Sequence, residues 1–227
     1  MSLHEFNAIE QGSEAWHDQR RGMVTASVVS KLVTPTLKVA ENETSRGLVA
    51  TLVAERITGY TEPSFMNDDM MRGVLHEPIA RDKYAEHNSV TVDETGFLVR
   101  IDLAGHELGA SPDGLVGDDG GIEVKCPRAK THISTIVADK VPGQYMAQIQ
   151  TCLLVSGRDW WDFVSFCAGL PLFIKRVHPD PAWAEAIVSA LLAFEESAAD
   201  LAANYRAAAA GLPATELIND DDIGLVF

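Results

Sequence analysis

Apolar positions recur at helical spacing in four stretches of this chain and alternate along most of what lies between them. Leu48, Val49, Leu52, Val53 and Ile57 place one stripe on a helix from about Glu43 to Thr58, closed by Gly59. A second helix is predicted from Asn67 to His87, with Met70, Met71, Val74 and Ala80 turned inward, and Pro78 kinks or divides it. A third runs from Pro142 to Val155 and stops at Gly157. Met146, Ile149, Cys152 and Leu153 form its core side, while Gln144, Gln148 and Thr151 share another face. The longest starts at Asp180-Pro181, an N-cap followed by a first-turn proline, and ends near Ala210. Shorter helices are predicted from Ser13 to Gly22, from Thr25 with Val28, Val29, Leu32 and Val33 inward, and from Lys130 to Asp139. Residues 1–12 read as an irregular lead-in, and residues 34–42 as a polar loop.

Strict alternation marks the strands. Val90/Val92, Phe97/Val99/Ile101 and Leu108/Ala110 alternate between the turn residues Gly96 and Gly105, and two further strands lie at Trp160–Cys167 and Leu172–Val177. Helices and strands interleaved in this way predict an α/β fold, with a mixed central sheet flanked by helices. No internal repeat or linker breaks the chain, so residues 1–227 read as one domain. Residues 212–227 form a possible tail, where Asn219-Asp220-Asp221-Asp222 precedes Ile223, Leu225, Val226 and Phe227 as a docking peptide or a frayed end.

One stretch carries chemistry as well as pattern. Ser111-Pro112-Asp113-Gly114-Leu115 leads through the turn signal Asp118-Asp119-Gly120-Gly121 into Ile122-Glu123-Val124-Lys125-Cys126. In a hairpin, Ile122, Val124 and Cys126 face one way while Glu123 and Lys125 face the other. Asp113 arrives on the adjoining segment. Two carboxylates on one sheet face can hold a hard divalent cation, with the lysine left to orient or deprotonate a water. Most Glu-x-Lys triplets are merely solvated pairs, and the Pro-Asp before a glycine-rich turn is what lifts this one above that reading. Elsewhere, Arg20 and Arg21 lie near a helix end ahead of Thr25 and Ser27, where hydroxyls and backbone N–H groups could surround an anion. Two solvated arginines favouring the helix dipole are the plain alternative. Glu77 precedes Pro78 and reads either as an exposed helix glutamate or as a carboxylate at an interrupted position.

Composition narrows the classes. The chain has 227 residues, 46% of them hydrophobic and 22% charged, as in an ordinary globular protein. No apolar run is long enough to span a bilayer, and the N-terminus shows no basic-then-apolar leader, so no membrane role is expected. Cys126, Cys152 and Cys167 have neither zinc-site nor disulfide spacing, which points to a reducing, cytoplasmic setting. The net charge of −15 argues against general electrostatic binding of nucleic acid but permits a local site built from a metal ion and a few placed cations.

The run P-D-G-(x8)-E-V-K resembles the PD-(D/E)-x-K signature of restriction-endonuclease-like nucleases. Further blocks narrow the resemblance: Gln11-Gly12-Ser13-Glu14-Ala15-Trp16-His17 with Arg20, Gly22 and Thr25-Ala26-Ser27; Arg72-Gly73 with Glu77; and Tyr145-Met146-Ala147-Gln148-Ile149-Gln150. In this order they resemble lambda exonuclease and its phage-type recombinase relatives over roughly residues 11–165. The resemblance implies that Asp113 and Glu123 ligate Mg²⁺, or Mn²⁺ in its place, with help from the backbone carbonyl of Val124, two ions being expected. Lys125 would orient and activate the attacking water, Glu77 would sit beside the second ion or its water, and Gln148 would hold the nucleophile or the scissile phosphate. Arg20 would capture a 5′-phosphate with Ser27 and Ser111 as helpers, while Arg21 falls where the family needs no cation. It further implies a homotrimer ring on double-stranded DNA with 5′-phosphorylated ends. The activity would be 5′-to-3′, releasing mononucleotides and leaving a 3′ single strand for an annealing protein in homologous recombination. A phage or prophage origin, with action in the bacterial host cytoplasm, goes with it. A restriction-type or structure-specific endonuclease, and a non-catalytic DNA or annealing-protein binding module, are the alternatives.

Overall fold

The computed structural model of the protein describes residues 2–62, 66–102 and 104–218. Among the described residues, eight strands form two four-stranded mixed sheets with helices packed on them, which bears out the mixed α/β class. The first sheet orders its strands β1 (Ser2–Phe6), β3 (Phe97–Ile101), β4 (Glu107–Ala110) and β2 (Val24–Thr25). The second follows chain order through β5 (Gly114–Val116), β6 (Gly120–Lys125), β7 (Trp160–Ser165) and β8 (Phe173–Val177). Two pairings are parallel, β2 with β4 and β6 with β7; the others are antiparallel. Only Ser111, Pro112 and Asp113 separate the end of β4 from the start of β5, so the chain crosses from one sheet to the other at that tripeptide.

Parallel pairing of β6 with β7 demands a long crossover. It contains α4 (Ala129–Ala138) and α5 (Met146–Ser156), the latter entered through a 3₁₀ turn at Gly143–Tyr145. Ile149, Cys152, Leu153 and Val155 are fully or nearly fully buried against the sheets, together with Trp161, Phe163 and Phe194. Gln150 is buried too; its amide donates to the His178 carbonyl at 2.9 Å and accepts from the Asp180 N–H at 3.0 Å. These bonds tie α5 to the start of α6 (Pro181–Ala209), where Asp180 caps the Ala182 N–H. Helix α2 (Glu43–Thr58) begins with Asn42 and Ser45 exchanging side-chain-to-backbone hydrogen bonds and ends at left-handed Gly59.

The structure corrects several expectations. Residues 2–6 form an edge strand rather than an irregular lead-in, because β3 offers them an antiparallel partner. The short helix expected from Thr25 is instead the two-residue β2 followed by a 3₁₀ turn at Val29–Lys31, with Val24, Ala26 and Val29 buried. Only the Asp93–Leu115 bridge forms near the expected strand at Val90 and Val92. Gly120 and Gly121 belong to β6 rather than to the turn, which lies at Gly117–Asp119. Their register partners are Trp160 and Trp161, and a Cβ on either glycine would fall 2.0 or 2.5 Å from those indole rings. The glycines thus serve close packing, not turn geometry.

Helix α3 (Asp68–Asn88) runs undivided through Pro78. Its buried residues are Ala80 and Tyr84, while Met70, Met71 and Val74, expected inside, are about half or more exposed. Ala80 and Tyr84 pack on the second sheet with Val116, Ile122, Val124 and Val164, while the Met70, Met71 and Val74 stripe of the first half stays largely exposed among the described residues. The acidic run expected to form a tail motif at 219–222 lies outside the described residues.

Tyr84 donates to buried Asp162 Oδ2 at 2.7 Å, and Arg176 grips the same carboxylate with two bonds of 2.8 Å while lying 3.6 Å from the centre of the Trp160 ring. Asp162→Ala would leave a buried phenol without its acceptor but free Arg176 to turn into water. The expected loss is about 2–3 kcal/mol, measured as a lower urea midpoint with unchanged slope. A midpoint equal to wild type would mean that the carboxylate contributes nothing to the packing of α3 on β7.

Candidate active site

The crossing tripeptide places its two polar side chains in different surroundings. Asp113 Oδ2 accepts from the backbone N–H of Val124 at 2.6 Å, which pins the aspartate beside β6 between Glu123 and Lys125 in sequence. Glu123 is completely buried, and Lys125 forms an ion pair with its Oε1. Lys125 is thus the partner of Oε1, and among the described residues Glu123 Oε2 has none. Alternation along β6 is as expected, but both faces are covered: Ile122, Val124 and Glu123 are buried, and Lys125 is only partly exposed. Lys125 Nζ lies 5.6 Å from the centre of the Tyr145 ring, which itself stacks on Phe163 of β7 at 5.5 Å.

Burial sets the electrostatics. It pushes the Asp113 carboxyl up, against the pull of Lys125 and the Val124 N–H. Burial and then Asp113 raise Glu123 as well. Desolvation works against the charged form of Lys125, but Glu123 and Asp113 outweigh it and hold the ammonium protonated well above its usual range. Glu77 on α3 is raised to about 7, first by burial and then by Asp113, with Arg81 and Lys125 opposing. Asp113 and Glu77 both line a cleft of about 680 Å³, shared with Gln11, Trp16, Arg81 and Glu94. Arg81 bridges Glu77 at 3.3 Å and Glu94 at 2.6 Å. Gln11 ties the cleft's rim together by donating to the carbonyls of Thr95 and Pro112, both at 2.9 Å.

Among the described residues no three acidic, histidine or cysteine side chains converge as a finished metal cage. The donor chemistry nevertheless fits a hard divalent cation. Asp113 and Glu123 offer carboxylate oxygens only, burial disfavours their charge, and Glu123 Oε2 has no partner.

Ser111 belongs to a second cluster. Arg20, last residue of α1 (Glu14–Arg20), donates to Ser111 Oγ at 2.8 Å, Ser27 Oγ at 3.3 Å and Thr25 Oγ1 at 3.5 Å. Trp16 donates its indole N–H to the same Ser111 Oγ at 2.9 Å, and the Arg20 guanidinium lies 3.9 Å from the Trp16 ring centre. Burial lowers Arg20 to about 10, with Glu55 opposing, so it is charged at neutral pH. The structure thus brings Arg20, Ser27 and Ser111 together, and Asp113, Val124, Glu123 and Lys125 together, with Glu77 on the adjoining cleft. Gln148 is half-buried on α5 and makes no side-chain hydrogen bond among the described residues. Arg21 turns away to pair with Asp18. Arg81 and Tyr145 went unassigned in the sequence, since an arginine four residues beyond a helix glutamate and an aromatic before a helix are common everywhere. Trp16 stood in a motif without a role of its own.

The raised value of Glu77 has a consequence for stability. A carboxyl that binds its proton more tightly folded than unfolded stabilises the fold at low pH, and that contribution is lost as pH rises from its ordinary 4.5 through about 7. In protein kept metal-free with a chelator, Glu77→Gln is expected to melt higher than wild type at pH 8, by about 1–2 kcal/mol after allowance for its partial exposure. The advantage should vanish below about pH 4.5. Melting curves of the two proteins that run parallel across this range would contradict the assignment.

Comparisons with known proteins give the chain a family. Residues 15–159 match the YqaJ-like viral recombinase domain. An alkaline exonuclease from Laribacter hongkongensis shares 37% identity, with a TM-score of 0.77 over 88% of this chain and 100% of its own. Its structure in complex with dAMP gives 36% and 0.78 over the same shares. A phage-related exonuclease from Haemophilus somnus 129PT, 14% identical with a TM-score of 0.64 over 81% of this chain and 96% of its own, shares the fold. No curated protein matches the chain in sequence. With the family domain covering more than half of its length, the chain belongs to the YqaJ-like viral recombinase family, as its resemblance to the lambda-exonuclease type implied.

Proposed function

We propose that this protein is a metal-dependent exonuclease that digests one strand of duplex DNA from a 5′-phosphorylated end, releases mononucleotides and leaves a 3′ single strand for an annealing partner in recombination. One observation carries the reading: the tripeptide Ser111–Asp113 joins an arginine–hydroxyl cluster to a buried carboxylate–lysine cluster. The first is suited to a terminal phosphate, since a guanidinium with two hydroxyls can meet several phosphate oxygens at once. The second is suited to phosphodiester hydrolysis. The family match and an exonuclease relative that holds dAMP, a mononucleotide, support the pairing.

Asp113 and Glu123, with the Val124 carbonyl, would hold Mg²⁺ or Mn²⁺, which supplies charge stabilisation for the oxygens of an in-line displacement. The chain's own groups do the remainder. Lys125 stays an ammonium beside two carboxylates, so it donates: it orients the attacking water and meets charge developing at the phosphate. Tyr145 closes one side of that ammonium and limits its wandering. Glu77, near neutrality and facing the cleft, is suited to hold the water or take its proton. Gln148, free of internal bonds, is available to the nucleophile or the scissile phosphate. Arg20 sets polarity, because hydrolysis at the metal site is indifferent to which end of a strand approaches.

The test uses linear duplexes that differ only in a 5′-phosphate or 5′-hydroxyl, with closed circular DNA as control, with Mg²⁺ or with chelator. Wild type should digest the phosphorylated linear duplex, with Mg²⁺ only. Lys125→Ala should lose cleavage while still binding DNA. Arg20→Ala should slow phosphorylated ends by one to two decades, the equivalent of roughly 1.5–3 kcal/mol for one charge-assisted contact, and affect hydroxyl ends far less. Cutting of closed circles would make the protein an endonuclease, and wild-type turnover by Lys125→Ala would remove its assigned role.

An acidic monomer of net charge −15 is a poor DNA clamp. A closed threefold ring that gathers the local cations around a channel removes the difficulty, and we propose that assembly for the active form. Light scattering should give about three times the 24.6 kDa chain mass. A strict monomer that still degrades long DNA without dissociating would sink the ring.

A further inference from the structure

Helix α1 has seven residues and none of them is buried, so it cannot by itself hold Arg20 in place. The chain just beyond Arg20 is fixed more firmly. The Gly22 peptide is gripped on both sides by consecutive residues of α2: its N–H donates to Glu55 Oε2 at 2.7 Å, and its carbonyl accepts from Arg56 Nε at 2.6 Å. Gly22 has φ +68°, and a Cβ there would lie 2.4 Å from Arg56 Cγ, so both the backbone conformation and the close approach need glycine. Arg56 is in turn fixed by two bonds of 2.8 Å to Glu195 of α6 and lies 5.2 Å from the centre of the Phe194 ring. Beyond Gly22 the chain enters buried Met23 and β2. Glu55 also supplies a negative charge that opposes the effect of burial on Arg20.

We infer that Glu55 and Arg56 are positioning residues for the terminal-phosphate cluster: by clamping the Gly22 peptide they keep Arg20 directed at Ser111, Thr25 and Ser27. This rests on the reading of that cluster as the 5′-phosphate pocket. Neither residue hydrogen-bonds Arg20, Ser111, Asp113 or Glu123; both act through the Gly22 backbone. Their effect is therefore on recognition of the end and not on the hydrolytic step. An interhelical staple between α2 and α6 with no bearing on the pocket is the competing account. Glu195 separates the two, because it holds Arg56 without a hydrogen bond to Gly22.

The experiment compares initial rates of Glu55→Ala, Glu55→Asp, Glu55→Gln, Glu195→Gln and Arg20→Ala, in the full chain with Mg²⁺, on matched duplexes with 5′-phosphate or 5′-hydroxyl ends. Thermal melts of each variant accompany the rates. Glu55→Ala should raise KM on phosphorylated ends about tenfold, the equivalent of one lost hydrogen bond to a charged group, with kcat within about twofold and hydroxyl ends unchanged. Glu55→Asp keeps the charge but falls short of Gly22 and should behave like alanine. Glu55→Gln keeps the acceptor and should restore most of the discrimination, so this pair carries the test even where the alanine variant does not fold. Glu195→Gln should lower the melting temperature and leave discrimination intact. If Glu55→Ala and Glu55→Asp slow both ends equally, or leave discrimination unchanged while Arg20→Ala abolishes it, the clamp is overturned and the pocket stands. If Arg20→Ala itself fails to discriminate, the pocket reading falls and the clamp with it.

Discussion

The Asp113–Val124 hydrogen bond is the contact on which the site depends. The chain passes from one sheet to the other in three residues, and a loop that short has little freedom once both ends are fixed. At one end Ser111 is held by Trp16 and Arg20; at the other Asp113 is held by a β6 amide. Gln11 bonds the Pro112 carbonyl between them. Each side of the crossing is thereby registered to a rigid strand, which is what a catalytic constellation needs if its geometry is to hold within a fraction of an ångström.

Charge explains why the surroundings look as they do. Ionised Asp113, Glu123 and Glu77 repel one another in a buried setting, and the fold meets this with Lys125 inside and Arg81 at the rim. The arrangement is not the most stable one available, since isosteric neutral residues would relieve the repulsion. Local instability of this sort is expected where a cation is to be received. The same logic separates the site from the acidic exterior: overall charge governs long-range encounter, whereas a few desolvated groups govern the chemistry.

The parts legible in the sequence were those set by local rules. Asn67, Asp180 and the left-handed Gly59 and Gly157 mark helix ends within a residue or two, because capping depends on neighbours in the chain. Glu123 and Lys125 were legible because strand alternation alone puts them on one side, and Asp113 because Pro-Asp before a glycine-rich turn sets it on the adjoining segment. Features set by remote partners were not. Strand β1 exists because β3, some ninety residues on, offers it an edge, and Gly120-Gly121 looks like a turn until Trp160 and Trp161 are laid across it. Met70, Met71 and Val74 have the spacing of a buried stripe, but nothing among the described residues covers them. The link from Glu55 and Arg56 to Gly22 was likewise invisible, since no sequence spacing signals a side chain that grips a distant peptide.

On the proposed reading, the crossing tripeptide also bears on product size. Ser111 belongs to the end-recognising cluster and Asp113 to the hydrolytic one, and two residues of extended chain span only about 7 Å. That is the scale of one nucleotide along a strand. A terminal phosphate seated against Arg20 and Ser111 would therefore bring the next phosphodiester, and not one several nucleotides inward, toward Asp113. Had the two clusters been carried on separate loops, their spacing would drift with loop motion and products of mixed length would result. Carried on one short segment with both ends fixed to strands, the spacing is a constant of the fold. A mononucleotide product is then a consequence of covalent geometry, with no separate measuring device required.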